Sequence, residues 1–558
     1  MANKLELTWV GKYDKNQIEP RILVEDKKKS YGNKDAKNML IHGDNLLSLK
    51  ALEPEYTNRV KCIYIDPPFN TGAAFEYYDD NQEHSIWLNL MYKRIIILHK
   101  LLTDDGVLLI EIDDNEMPYL RVILDEIFGR NKFVASISVK SNNISGNKTA
   151  NKEKTVLRNK DNIIIYKKGD NINIKPQYIE RTRWDTHYNS FLVFDGERVK
   201  EIRKLKDVLI EANIINKNET IKENIIENKE FYKFILKNKD NICRLVNSIS
   251  KDMKEESLKY PGEVIRYEDD KGVVRYALNG SRVSFLSSAI VNIDGEEKFS
   301  QLLGDLWTDI DFQNTQNEGG VSFPASKKPE YLIRRILDMF TNEGDIVLDS
   351  FLGSGTTCAV SHKMNRKWIG IEMGDHCYTH CIPRLNSVID GLDKSGISKY
   401  IDYKNIGGGY IFYELAPTLI NTDSFGEAII NKEYNANMFA SAVALHEGFK
   451  YNPSKEKFWK QAEGNEKSYL YVTTKFLNKE DIENIKTDME DNEFLIIACT
   501  AYDKDIEGLY KNIKIKKIPE MLLAKCEFGK ENYNLNIINP PEYEEEILYN
   551  IQQIISLE

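Results

Sequence analysis

A glycine-rich turn between two apolar stretches constrains the fold of this chain more than any other feature. Residues 345–349 form the first stretch and end in an acid, and residues 350–357 supply the turn and open a helix. The second stretch, residues 367–371, ends in Glu372. Nucleotide-binding folds place an acid at about this distance beyond the glycines, where it binds ribose hydroxyls. This order predicts an α/β fold with a nucleoside ligand.

A second motif, Asp66-Pro67-Pro68-Phe69, follows the apolar run of residues 60–65. A carboxylate and a backbone carbonyl can accept both hydrogens of an exocyclic amine, a proline pair stiffens the backbone, and an aromatic ring covers the flat face of a base. The four residues therefore predict a catalytic pocket for adenine. A purely structural interpretation is a strand that runs into a proline-rich turn with a helix cap.

Together the two motifs resemble those of the amino-group DNA methyltransferases that use S-adenosylmethionine, in the permuted order in which the catalytic motif precedes the cofactor motif. Residues 42–45 are similar to the family's strand-end acid near the cofactor adenine, and residues 323–329 to the element that closes over the methionine end. The sequence of residues 66–72, the large insertion and the long C-terminal extension most resemble the modification (Mod) subunit of a type III restriction-modification system. The likeness at the level of motifs covers residues 38–115 and 320–385.

The resemblance implies a Rossmann-like, S-adenosylmethionine-dependent methyltransferase domain with an inserted target-recognition domain and a C-terminal α/β extension. It also implies methyl transfer to the N6 amino group of a flipped adenine, with Asp66 and the Pro67 carbonyl holding the amine and Phe69 stacking on the base. Such a reaction needs alignment and desolvation but no metal or dedicated base. The cofactor-binding residues that it implies are Asp44, Phe323, Lys327, Asp349, Phe351, Gly353, Gly355, Thr356 and Glu372.

A basic segment stands out in a chain whose formal net charge is -11. Between Arg130 and Trp184, Lys and Arg greatly outnumber Asp and Glu. Beside a base pocket, this excess predicts contacts to DNA phosphates, although a solvated lysine-rich loop would have the same composition. The DNA-binding residues that we predict are Lys140, Lys148, Lys152, Lys154, Arg158, Arg181 and Arg183.

Shifts in sequence pattern predict five segments. They are an N-terminal arm (1–37), the catalytic half of the methyltransferase domain (38–129), a target-recognition insertion (130–319), the cofactor half (320–404) and a C-terminal dimerisation or subunit-contact domain (405–558). The insertion interrupts the strand-helix rhythm of its neighbours. Its central part would also fit an uninvolved helical spacer.

Composition indicates an ordinary soluble protein: of 558 residues, 41% are hydrophobic and 29% are charged. No apolar run reaches the roughly twenty residues of a membrane span and the first residues form no apolar signal segment, so we expect a cytoplasmic protein. The seven cysteines are scattered without a disulfide framework, as in a reducing compartment. His376, Cys377, His380 and Cys381 lie close together, but tetrahedral zinc usually draws on two separated pairs, so we predict no metal site.

The resemblance implies double-stranded DNA as substrate, a homodimer, and an ATP-dependent restriction (Res) subunit as a partner. A stand-alone DNA adenine methyltransferase would share every motif. The motifs also leave open an RNA or protein amino-group methyltransferase, a cytosine amine as the target, and a non-catalytic DNA-binding specificity module. Intact catalytic and cofactor motifs disfavour the non-catalytic module.

Overall fold

The computed structural model describes most of the chain and divides it into two compact units. The first unit combines Met1–Asn173 with Thr308–Glu558, and the second is Ile174–Trp307. The residues that the structure describes are 6–13, 18–33, 35, 37–70, 84–143, 153, 155–268, 272–313, 315–323, 327–404, 406–526 and 528–529.

The first part of the chain, up to residue 173, alternates strands and helices. Its strands are β1 (Leu23–Glu25), β2 (Tyr31–Gly32), β3 (Asn38–His42), β4 (Val60–Ile65), β5 (Leu102–Ile112), β6 (Phe133–Lys140) and β7 (Lys160–Lys167). Its helices are α1 (Asn45–Tyr56), α2 (His84–Leu101) and α3 (Met117–Phe128).

The second unit is rich in strands. These are β8 (Tyr178–Glu180), β9 (Ser190–Asp195), β10 (Arg198–Lys204), β11 (Ile242–Val246), β12 (Ile265–Glu268), β13 (Val274–Leu278), β14 (Ser281–Phe285), β15 (Ile290–Ile293), β16 (Glu296–Leu302) and β17 (Leu306–Trp307). Its helices are α4 (Leu205–Glu211), α5 (Lys229–Lys237) and α6 (Lys251–Lys259).

The rest of the chain returns to the first unit. Its strands are β18 (Ile346–Asp349), β19 (Lys367–Glu372), β20 (Gly409–Leu415), β21 (Ile420–Thr422), β22 (Ala428–Ile430), β23 (Lys450–Tyr451), β24 (Ala462–Glu463), β25 (Ser468–Thr473), β26 (Phe494–Cys499) and β27 (Ile513–Lys517). Its helices are α7 (Glu330–Phe340), α8 (Thr356–Lys363), α9 (Ile382–Ile389), α10 (Ala436–Glu447), α11 (Lys479–Asp488) and α12 (Glu520–Leu523).

A large sheet organises the first unit, with strand order β1-β20-β3-β19-β18-β4-β5-β7-β6. The strands from β20 to β5 are parallel, whereas β1, β7 and β6 pair in antiparallel fashion. Both faces are covered, because Met39 and Ile41 of β3 pack with α1, α2 and α3, while Leu40 packs with α8 and α9. A parallel sheet between two helix layers confirms the predicted α/β, Rossmann-like fold.

The two motif-bearing strands, β4 and β18, are neighbours in this sheet. They pair in parallel, with Val347 opposite Cys62 and Leu348 opposite Ile63. Because parallel strands end at the same edge of a sheet, the glycine-rich turn and the Asp66 motif leave the sheet side by side. Segments nearly three hundred residues apart in the sequence thereby meet at one edge.

The sheet extends beyond the boundaries predicted for the methyltransferase halves. Strands β6 and β7 fall within the predicted insertion, 130–319, yet they pair with each other and with β5, and the compact second unit begins only at Ile174. At the other boundary, β20 lies beyond residue 404 and pairs with β3. The predicted arm, 1–37, supplies β1 and β2 to the same sheet edge. Backbone pairing, which composition does not reveal, sets these limits.

The second unit has its own core and an antiparallel sheet, in the order β10-β9-β11-β14-β13-β12. Trp184 is buried at the centre of this core, with ring centroids 5.0 Å from Phe231 and 5.3 Å from Phe299. This independent core explains why the segment forms a separate compact unit.

Residues 416–529 surround a second sheet in the first unit, β23-β24-β25-β26-β27. Strands β25, β26 and β27 are parallel, and α11 contributes Ile482 and Ile485 to their core. This arrangement confirms the predicted C-terminal α/β region. Among the helices that the structure describes, none is long and apolar enough to cross a membrane.

Candidate active site

Apart from Phe323 and Lys327, the predicted cofactor and catalytic residues lie at or just beyond the carboxyl ends of four adjacent strands, β3, β19, β18 and β4. Two hydrogen bonds join the loops that leave these strands. The Gly43 amide donates to the Glu372 carbonyl at 3.0 Å, and the Asn45 side chain donates to the Ser350 carbonyl at 2.7 Å. The edge therefore forms a connected polar rim where the strands end.

The glycine-rich turn is held in shape by Asp349. This buried carboxylate accepts the Phe351 amide at 2.9 Å and the Thr357 hydroxyl at 2.6 Å, and burial raises its pKa to about 7. Gly353 and Gly355 both adopt left-handed backbone conformations, with φ of 56° and 83°. Such conformations favour glycine, whose missing side chain lets another group approach the backbone of the turn closely.

Glu372 closes this turn from the next strand. Its carboxylate accepts the Gly353 amide at 2.7 Å and the Gly374 amide at 2.9 Å, and His376 Nε2 lies 3.0 Å away. Burial alone would raise the pKa of Glu372, but the hydrogen bonds from His376 and the backbone amides outweigh it and lower the pKa. Glu372 is thus an ionised acceptor beside the turn.

Asp44 follows the end of β3 and caps α1. Its side chain accepts the Leu47 amide at 2.9 Å and lies 3.3 Å from the guanidinium of the buried Arg94. Helix capping and the ion pair together hold this carboxylate at the sheet edge. It lies next to the loop that carries Glu372, as its predicted role near the cofactor requires.

Thr356, the first residue of α8, is anchored by a buried ionic network. Its hydroxyl accepts a hydrogen bond from Arg384 at 2.7 Å, and Arg384 also donates to Glu330 at 2.8 Å. Glu330 in turn pairs with Lys363, and Lys363 with Asp393, both at 2.7 Å. Because each buried charge has a partner, the network can brace the start of the helix that follows the glycine-rich turn.

The remaining predicted cofactor residues have structural partners of their own. Phe323 is buried with its ring 5.3 Å from that of His376, and the half-buried Phe351 packs against the main core. Lys327 donates to the backbone carbonyls of Gln316, Glu318 and Val321. Burial and the nearby Arg384 lower the pKa of Lys327 to about 8. Its ammonium therefore anchors the chain before α7.

The Asp66 motif is held by helix α2. The indole of the fully buried Trp87 donates to the Pro68 carbonyl at 2.7 Å. The Asn70 amide donates to Glu116 at 2.8 Å just beyond the motif. Phe69 is half-buried against the main core. These contacts hold the C-terminal end of the motif, while the Phe69 side chain remains partly exposed.

Lys328 and Glu111 complete this side of the site, and the sequence motifs did not single them out. Lys328 Nζ lies 3.1 Å from Asp66 Oδ1 and 2.8 Å from Glu111 Oε1, and the Tyr64 hydroxyl donates to Glu111. Burial raises the pKa of Asp66, Lys328 opposes that shift, and Glu111 adds to it. A carboxylate in the middle of an apolar strand was the available signal, because a buried Glu111 needs a cationic partner.

Four of the predicted DNA-binding residues lie within the described chain. Arg158 pairs with the buried Asp113, and Lys140 ends β6 in register with Lys160. In the second unit, Arg181 lies 3.7 Å from Asp185. The side chain of Arg183 is 80% exposed and 3.3 Å from Glu223. The other three, Lys148, Lys152 and Lys154, lie outside the described residues.

The His376–Cys381 cluster has separate partners for its side chains. His376 faces Glu372, His380 hydrogen bonds to the Ser322 carbonyl at 2.9 Å, and Cys377 and Cys381 are buried in the core beside α8 and α9. Within the part of the chain that the structure describes, no group of three or more His, Cys, Asp or Glu side chains is arranged to hold a metal ion.

Comparison with known proteins agrees with this architecture. The family model for N6/N4 methyltransferases, described as DNA methylase, matches residues 60–382, which include both motifs and the inserted unit. The chain belongs to this DNA methylase family.

Three curated relatives are Mod subunits. The "Probable type III restriction-modification enzyme HindVI Mod subunit" of Haemophilus influenzae is 34% identical over 73% of this chain and 58% of the relative. The StyLTI Mod subunit of Salmonella typhimurium is 24% identical over 67% of this chain and 56% of the relative. The EcoPI Mod subunit of Escherichia phage P1 is 37% identical over 24% of this chain and 26% of the relative. This chain thus spans little more than half the length of the relatives that it matches most broadly.

Proposed function

We propose that this protein is a site-specific DNA methyltransferase. It transfers a methyl group from S-adenosylmethionine to the N6 amino group of a flipped adenine, as the modification and recognition subunit of a type III restriction-modification system in the cytoplasm. The observation that carries the proposal is the parallel pairing of β4 with β18, which brings an amine-binding motif beside a nucleoside-binding turn.

The residues at the sheet edge suit the cofactor. Without side chains at Gly353 and Gly355, the backbone of the turn can approach a ligand closely. Glu372 would accept the ribose hydroxyls, and Asp44 would bind near the adenine. When bound, the cofactor supplies a methyl group that is already activated for in-line displacement.

The catalytic motif then prepares the amine. Asp66 and the Pro67 carbonyl accept its hydrogens, which orients the nitrogen and stabilises the positive charge that develops on it. Phe69 stacks on the extruded base, and this contact offsets part of the few kcal/mol that flipping costs. Because the motif lies between β4 and the buried Trp87, its backbone is fixed before the base arrives.

The second unit, Ile174–Trp307, is assigned to target recognition. It is inserted in the chain between the catalytic and cofactor halves, and it has an independent core. Arg181 and Arg183 belong to this unit, and Arg183 is largely exposed, as a phosphate contact requires.

The test is transfer of a tritiated methyl group to unmodified duplex DNA, followed by separation of the labelled nucleosides. We expect N6-methyladenine from the wild type and a loss of at least about a hundredfold in Asp66→Ala, with cofactor binding retained. Asp105→Ala is the matched control, because its side chain is 58% exposed. Label in N4-methylcytosine would show that the target base is cytosine and not adenine. Equal transfer by wild type and Asp66→Ala would reject the catalytic assignment.

We propose two assemblies, a homodimer and a complex with an ATP-dependent restriction subunit. The names of the relatives, which are Mod subunits of type III restriction-modification enzymes, support only the second. Light scattering on the purified protein measures the first, and affinity purification from the native host measures the second. A monomer at micromolar concentration would reject the dimer. The absence of an associated ATPase would favour a stand-alone methyltransferase.

A further inference from the structure

Lys328 places its ammonium where two carboxylates and an aromatic ring converge. Its Nζ lies 3.1 Å from Asp66 Oδ1, 2.8 Å from Glu111 Oε1 and 5.2 Å from the centroid of the Phe69 ring. An N–H donor to Asp66 close to the Phe69 ring is also what the target amine would provide in the proposed reaction. Base entry would therefore exchange one donor for another at Asp66.

We propose that Lys328 is a positioning residue, whose ammonium favours the ionised form of the Asp66 carboxylate and orients it as the acceptor for the target amine. This inference rests on the proposed function. Glu111 holds the Lys328 ammonium in place. Its side chain is fully buried, and one carboxylate oxygen accepts a hydrogen bond from the Tyr64 hydroxyl while the other accepts one from Lys328. The lysine thus keeps a buried, charged partner when Asp66 turns to the base.

The charges around Asp66 affect its pKa, so the role of Lys328 can be measured in the pH dependence of methyl transfer. The groups that face Asp66 are Lys328, Glu111, Asp161 and Tyr64. Burial raises the pKa of Asp66, Lys328 lowers it, and Glu111 and Asp161 raise it further. If methyl transfer needs ionised Asp66, the rate falls on the acid side of this pKa. Removing Lys328 should then move the acidic limb of the pH–rate profile upward, and neutralising Glu111 should move it downward.

The experiment compares pH–rate profiles of methyl transfer to unmodified plasmid DNA for the wild type, Lys328→Met and Glu111→Gln. We expect the acidic limb to rise by roughly one to three pH units in Lys328→Met and to fall in Glu111→Gln. A general loss of folding lowers the rate at every pH and does not produce opposite shifts. Limbs that remain at the wild-type pH, or that move in the same direction, would overturn the proposal.

Two further measurements keep the outcome decisive. Lys328→Arg retains the positive charge, so its limb should stay near that of the wild type even if its maximal rate falls. Where Lys328→Met does not fold, as judged by loss of cofactor binding, the profiles of Lys328→Arg and Glu111→Gln decide the question in the same way. Wild-type protein that methylates no DNA would reject the proposed function, whereas active wild type with unshifted variants would reject only the role of Lys328.

Discussion

The Trp87 indole donates a 2.7 Å hydrogen bond to the Pro68 carbonyl, across the 19 positions that separate the two residues. Helix α2 thereby fixes the backbone of the proposed catalytic motif. If the motif accepts a flipped base as proposed, this bond keeps its backbone in one orientation while the base enters.

Trp87→Phe should therefore reduce methyl transfer roughly tenfold or more, because the Pro68 carbonyl loses its donor and about 1–3 kcal/mol of stabilisation. Cofactor affinity, measured by calorimetry, should not change. Trp9→Phe is the matched control, since the Trp9 indole donates to Asn89 of the same helix at 3.3 Å and not to the motif. Equal losses in the two variants would contradict a specific role for Trp87.

Gly355→Ala should weaken cofactor binding roughly tenfold. Gly355 has a φ of 83°, and a side chain in the left-handed region costs about 1–2 kcal/mol per residue. Relief of that strain would change the shape of the turn. Gly344→Ala provides the comparison, because Gly344 has a φ of 80° and no heavy atom within 4 Å of its added Cβ. Calorimetry should show weaker binding in Gly355→Ala alone; weaker binding in both would indicate general destabilisation.

His446 should make the C-terminal region sensitive to acid. Burial and the nearby Lys525 lower its pKa from 6.5 to about 4, so the unfolded chain binds more protons between these pH values. The free energy of unfolding should consequently fall by roughly 3 kcal/mol as the pH falls from 6.5 to 4. Urea unfolding of His446→Gln should show a smaller dependence on pH over this interval. The exposed His187 supplies the control, and His187→Gln should behave like the wild type.

Arg183→Ala should weaken DNA binding without changing which sequence is methylated. A phosphate contact releases a counterion, so the slope of log K against log salt should become less steep by about 1. Fluorescence anisotropy over a series of salt concentrations measures this slope. Lys233→Ala offers a comparison within the same unit, since the Lys233 side chain is also exposed. An unchanged slope in Arg183→Ala would remove this residue from the predicted DNA contacts.

The sequence motifs predicted the strands, turns and edge of the sheet that form the site, because short-range patterns determine them. Residues 345–349 and 367–371 were expected as strands and became β18 and β19. Asp349 and Glu372 end strands and Asp44 follows the end of β3, all at the same edge of the sheet, as the motif order indicated. The backbone geometry near a motif can thus be predicted from the local sequence.

Contacts between distant segments were not predictable in this way. Lys328 and Glu111 are 217 positions apart, and no local pattern indicates which of two consecutive lysines reaches Asp66. Lys327 donates to backbone carbonyls, while its neighbour Lys328 pairs with Asp66 at 3.1 Å. The boundaries of the insertion were missed for a related reason, because β6 and β7 are recognised only by their pairing with β5.

Between β7 and α7 the chain forms a compact unit of its own, Ile174–Trp307. Every strand that carries a proposed catalytic or cofactor residue lies outside this unit. If the inserted unit reads DNA as proposed, genetic recombination at its two ends could give the enzyme a new target sequence in one event. Specificity could then diversify among descendants while the methyl-transfer machinery is inherited unchanged.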